Sequence, residues 1–88
     1  MIERKVVVAN EKGLHLRSAQ MLAMTASKFK SDVHIRKDNM EVDAKSIMGI
    51  LALSASKGTE LVVTANGSDE DAALNAVVSL FESRFDEE

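Results

Sequence analysis

The chain has 88 residues, too few for a second hydrophobic core, and reads as a single domain spanning residues 1–88. It has no cysteine, which excludes a disulfide framework and a thiolate metal site, and no tyrosine or tryptophan on which bases could stack. A net charge of −3 and the acidic Asp86-Glu87-Glu88 segment oppose a nucleic-acid surface. With no secretory signal and no apolar run long enough to span a bilayer, the expectation is a soluble cytoplasmic protein that binds neither nucleic acid nor membrane.

Residues 2–9 end in Val6-Val7-Val8, a β-branched run that suits a strand, and Asn10-Glu11-Lys12-Gly13 is a polar turn. From Leu16 the period becomes helical. Ala19, Leu22, Ala23, Ala26 and Phe29 form one apolar stripe for the core, with Arg17, Met21, Met24 and Lys28 on the opposite side. Asp32 to Lys37 alternates, Val33 and Ile35 on one side and His34 and Arg36 on the other. Asp38-Asn39 reads as a hairpin turn into a short strand carrying Met40 and Val42.

Ser46 opens the apolar run Ile47 to Leu53, long enough for about two helical turns and closed before Lys57-Gly58. Leu61, Val63 and Ala65 form another strand face. Gly67-Ser68-Asp69-Glu70-Asp71 joins an N-cap candidate to an acidic first turn. The helix that follows is expected to bury Ala73, Ala76, Val77, Leu80 and Phe81. The order β-α-β-β-α-β-α predicts an α+β open-faced sandwich, with three helices layered on one face of a four-stranded antiparallel sheet. Periodicity alone leaves the strand order open.

The chemistry concentrates at the start of the first helix. His15 stands there with Arg17 two residues on, where unpaired N–H groups and the positive end of the helix dipole favour an anion. Alone, a histidine at a helix start more often hydrogen-bonds the backbone than does chemistry. Arg17 and the helix terminus both oppose a second positive charge and so leave a nucleophilic ring nitrogen. A metal site is not expected: His34 is the only other histidine, and no His-x-x-x-His pair exists. No cofactor is expected either. Ser46 is a good N-cap for the short helix, and Met24 projects away from the buried stripe. His34 and the acidic tail are expected to face solvent.

These residues resemble the HPr family, the histidine-containing phosphocarriers of the bacterial phosphoenolpyruvate-dependent sugar phosphotransferase system. The likeness runs through essentially the whole chain. It rests on Gly13-Leu14-His15-x-Arg17, on Ala44-Lys45-Ser46-Ile47-Met48-Gly49, on Lys57-Gly58-Thr59, and on Gly67-Ser68-Asp69-Glu70. The resemblance implies a sheet in the order 1-4-2-3. It implies that His15 accepts a phosphoryl group on Nδ1 from enzyme I and passes it to enzyme II (IIA) domains, with Arg17 as its electrostatic partner and Leu16, Arg17 and Ser18 around the phosphate. The chain would then be a monomeric carrier of phosphotransfer chemistry and no enzyme by itself.

Ser46 matches the serine that HPr kinase/phosphorylase modifies in many Gram-positive members. Leu16, Gln20, Met24, Ile47, Met48 and Leu51 match the partner-docking surface, and Lys12, Arg17, Lys28 and Lys45 add positive charge for acidic partners. Three positions depart from the family pattern: Leu16 replaces the usual alanine, Ser18 a proline and Ser54 a glycine. The alternatives are a regulatory adaptor working through the Ser46 surface and a nitrogen-related carrier without direct sugar transport. A ferredoxin-like small-molecule sensor would leave the His15–Arg17 pair unexplained.

Overall fold

The computed structural model describes residues 1–87. Four strands pair into one antiparallel sheet: β1 (Ile2–Val7), β2 (Asp32–Lys37), β3 (Met40–Asp43) and β4 (Glu60–Asn66), in the order β1-β4-β2-β3, with Val6, Val33, Ile35, Leu61, Val63 and Ala65 buried on its inner face and Val7 exposed on the other. The register sets apolar residues opposite one another on the inner face. Val6 faces Leu61, Ile35 faces Val63 and Val42, and Val33 faces Ala65. β1 ends two residues earlier than its sequence suggests, yet Val8 stays fully buried. It donates to Thr59 O at 2.9 Å and accepts from Gly58 N at 2.7 Å.

The inner face is covered by α1 (Leu16–Ser27), α2 (Ile47–Ala52) and α3 (Glu70–Glu82). On α1, Ala19, Leu22, Ala23 and Ala26 are buried as the stripe predicts. Met21 departs from expectation: it packs half-buried against the core and not on the solvent side, because α1 is flanked by both α2 and α3 and so meets neighbours over a wide arc. The same reasoning corrects α3. It rests on β1, β4 and α1 together, so Leu74 and Val78 enter the core beside Ala73, Val77 and Phe81, while Ala76 and Leu80 stay half-buried.

Ser46 caps α2, its Oγ accepting from Gly49 N at 3.0 Å. The chain leaves α2 through Ser54 at φ +51, a left-handed conformation that glycine adopts without strain. A glycine, which the family resemblance leads one to expect at this position, would relieve that strain.

Asp69 precedes α3 but does not cap it. Its carboxylate instead accepts from Lys30 N and Ser31 N, each at 2.9 Å, and from the Ser31 hydroxyl at 2.5 Å. The connection between α1 and β2 is thereby tied to the start of α3. The Ser31 hydroxyl first, and then the Lys30 N–H, lower the Asp69 carboxyl from 3.8 to about 2. A depressed folded-state value means that the stabilisation is complete above the unfolded value and is lost as pH falls through the folded one. The thermal midpoint of the wild type should therefore exceed that of Asp69→Ala at neutral pH and converge on it between about pH 4 and pH 2. A constant gap across that range would assign the effect to packing.

Candidate functional site

The site is built on the loop Asn10 to Ser18. Gly13 takes φ +68 and donates to Asn10 O at 3.1 Å, closing a turn. Leu14 is buried and donates its N–H to Ala55 O at 2.8 Å. The segment 55–59 thus holds this loop at one end through Leu14 and β1 at the other through Val8. His15 follows in an extended conformation, φ −123 and ψ −175, as the N-cap of α1, and its carbonyl accepts the first helical bond from Ala19 N at 2.8 Å.

Ser18, one turn on, is fully buried. Its Oγ accepts from His15 N at 2.9 Å and lies 3.1 Å from His15 O and 3.4 Å from Gly13 O, to which it can donate. The hydroxyl is therefore committed to the backbone of the loop, and serine fixes by hydrogen bonds a turn that proline would fix by its ring. What Ser18 turns toward the imidazole is its N–H. The N–H groups of Leu16 and Arg17, in the first helical turn, have no intrahelical acceptor. Arg17 is exposed, its side chain 61% accessible.

The acidic tail overturns expectation. Glu87 does not face solvent: its side chain is only 11% exposed, and its Oε2 lies 2.5 Å from His15 Nε2 and 3.9 Å from Arg17. Its other oxygen, Oε1, accepts from Asn10 Nδ2 at 3.0 Å. Asn10 is itself completely buried and also donates to Gly13 O at 2.8 Å, so one amide braces both the loop and the carboxylate. Burial pushes the Glu87 carboxyl up. The hydrogen bonds from Asn10 and His15, with the charges of His15 and Lys12, outweigh burial and leave it below its ordinary value.

Phe85 puts the carboxylate there. After α3, Arg84, Phe85 and Asp86 all adopt φ between +54 and +58, a left-handed turn that reverses the chain. Phe85 is fully buried, edge-on to Phe81 with ring centroids 5.1 Å apart. Asp86 does face solvent, and Glu88 lies outside the described residues. The sequence does hold a signal for this turn: Phe85 is four residues beyond Phe81, in register with the apolar stripe of α3, inside a segment otherwise polar or charged.

The remaining candidates fall on α1 and α2, which pack side by side. Leu16, Met24 and Met48 are large exposed apolar side chains, 57%, 68% and 75% accessible, and Gln20 lies exposed one turn from Leu16. Ile47 and Leu51 are half-buried, each packing partly on the core, whereas Ile50 is wholly inside. Ser46 sits at the start of this patch. Lys12 and Lys28 are exposed, and Lys45 turns its ammonium to Phe29 O at 3.1 Å. His34 is half-exposed on the outer face of the sheet, away from the helices. No helix among the described residues is long and apolar enough to cross a membrane.

Comparison with known proteins agrees with this architecture. Residues 2–83 match the family model described as the PTS HPr component phosphorylation site. The chain is 44% identical over 88 residues to the phosphocarrier protein HPr of Xylella fastidiosa, covering all of this chain and 99% of the relative. The crystal structure of HPr-C-His from Thermoanaerobacter tengcongensis superposes with a TM-score of 0.96 at 46% identity, covering 100% of this chain and 99% of that one. A structure described as an HPr dimer from the same organism gives 0.78 at 46% identity, over 97% and 98% of the two chains. The chain belongs to the HPr family of phosphocarrier proteins of the phosphotransferase system.

Proposed function

We propose that this chain carries a phosphoryl group on His15 Nδ1, taking it from phosphorylated enzyme I and delivering it to enzyme II (IIA) domains in phosphoenolpyruvate-dependent sugar uptake. The supporting observation is the setting of the ring. His15 is the N-cap of α1, with the free N–H groups of the first turn and the exposed Arg17 guanidinium beside it. Transfer of a phosphoryl group needs in-line positioning and charge stabilisation more than further covalent machinery. The helix terminus contributes about 0.3–1 kcal/mol toward an anion at an exposed site, and Arg17 adds a charge-assisted hydrogen bond. Such holding is modest, as a carrier that must release its cargo requires. Leu16, Arg17 and Ser18 supply the first-turn N–H groups.

Partners dock on the patch formed by Leu16, Gln20, Met24, Ile47, Met48 and Leu51. Its methionines adapt to surfaces of different shape. The reading places the protein in the cytoplasm as a monomer, visible as a single species of one-chain mass in sedimentation. Ser46 is the regulatory site for HPr kinase/phosphorylase. A phosphate there adds about −1.5 to −2 charge beside Ile47 and Met48, which a partner must desolvate on docking.

Incubation with phosphoenolpyruvate and enzyme I should give acid-labile, alkali-stable phosphate on the wild type and none on His15→Ala. Label on His15→Ala, or none on the wild type with its cognate enzyme I, would overturn the reading. An adaptor working through the Ser46 surface alone would not need His15. In the same assay Ser46→Asp should slow acceptance about tenfold, a loss of about 1.4 kcal/mol. Ser46→Ala should keep the rate and lose about 1 kcal/mol of stability with its cap.

A further inference from the structure

A neutral imidazole has one nitrogen bearing a proton and one bearing a lone pair, and the arrangement decides which can attack phosphorus. At His15 the Ser18 N–H faces the ring from within the loop, and a carboxylate from the far end of the chain holds the opposite nitrogen. Glu87 Oε2 lies 2.5 Å from Nε2, and an ionised carboxylate can only accept, so in the neutral ring Nε2 holds the proton. The lone pair then falls on Nδ1. The carboxylate is itself fixed, by Asn10 at 3.0 Å and by the buried Phe85 two residues before it. We infer that Glu87 is a positioning residue for phosphoryl transfer: its carboxylate holds the Nε2–H tautomer of His15 and so presents the Nδ1 lone pair to the incoming phosphorus.

The inference rests on the phosphocarrier reading and accounts for the step in full. The Nδ1 lone pair forms the N–P bond. The bond from phosphorus to the nitrogen of a phosphohistidine donor breaks, and its electron pair stays on the donor. Nε2 keeps its proton, so none has to leave during transfer. The positive charge gained by the ring lies against the Glu87 carboxylate, which offsets it. Delivery to an acceptor runs the same events in reverse. In the other tautomer Nδ1 would carry the proton and would have to lose it before attack.

Two measurements on the full chain test this. In long-range proton–nitrogen spectra of ¹⁵N-labelled protein, at a pH where the ring is neutral, the wild type should show the Nε2–H form, with that proton slowed in exchange with water. Glu87→Ala should lose the slowed proton, and Glu87→Gln, whose amide oxygen still accepts, should largely keep it. In single-turnover phosphorylation by enzyme I, Glu87→Ala should be about tenfold slower and Glu87→Gln within about threefold of wild type, the scale of one charge-assisted hydrogen bond. Either a dominant Nδ1–H form in the wild type or an unchanged rate in Glu87→Ala overturns the proposal. The spectra need no phosphoryl donor, so failure of the carrier reading would show separately, as a wild type that accepts no label.

Discussion

Replacing Phe85 with alanine should destabilise the protein by about 3–5 kcal/mol, the range for removing a fully buried aromatic side chain. Phe85 has no exposed surface and packs edge-on against Phe81. Its ring also holds three successive L-residues in a left-handed turn, a conformation that costs each about 1–2 kcal/mol when nothing supports it. Two backbone bonds within the turn, Asp86 N to Ser83 O at 3.0 Å and Glu87 N to Arg84 O at 2.9 Å, would fray with it. Urea unfolding should show a lower midpoint with an unchanged slope, and Glu87 should leave the imidazole in the same variant. A loss below about 1 kcal/mol would mean that the ring contributes little to the core.

Gly13→Ala should have the second largest effect, about 2–4 kcal/mol, for two reasons that add. The residue sits at φ +68, and a Cβ there would come within 2.6 Å of Ala55 O and 2.9 Å of Ser56 Cα. Both obstacles are main chain, so relief requires the loop to move and the Leu14–Ala55 bond to open. Gly58 supplies the control. Its φ of +91 is also left-handed, but nothing lies within 4 Å of an added Cβ, so Gly58→Ala should lose only about 1–2 kcal/mol from backbone strain. Thermal or urea unfolding of the pair separates steric from conformational cost. Equal losses would show that the contact with residues 55 and 56 relaxes freely. Because Gly13 sets the entry of His15 into α1, its variant should also lose phosphoryl acceptance beyond its loss of stability.

The strands were legible because each buries one face, and a period of two over Val33-Ile35 or Leu61-Val63-Ala65 leaves little choice of orientation. Strand order was not, since β1 and β4 lie far apart in the chain and only the family resemblance supplied the pairing. The placement of His15, Arg17 and Ser46 at helix starts was legible because local sequence dictates local geometry there. The helix faces were read too narrowly at Met21, Leu74 and Val78: a single stripe describes a helix resting on one neighbour, and these helices rest on two or three.

Glu87 and Asn10 were missed for a different reason. Their hydrogen bond joins residues 77 apart, and the local turn that holds Asn10 gives no sign of it. The Asp69 bonds to Lys30 and Ser31 are of the same kind, a side chain suited to capping its own helix used instead to bind a distant loop.

The segment 55–59 contributes no candidate functional side chain, yet it grips Leu14 through Ala55 and Val8 through Gly58 and Thr59. Lys57 adds an ion pair to Glu11, Nζ to Oε1 at 2.7 Å. The stiffness of the histidine loop is thus borrowed from a stretch more than 40 residues downstream. Substitutions there can retune the carrier without altering a single group that meets its cargo, and amide exchange at Leu14 and Gly58 should report the opening of one shared latch.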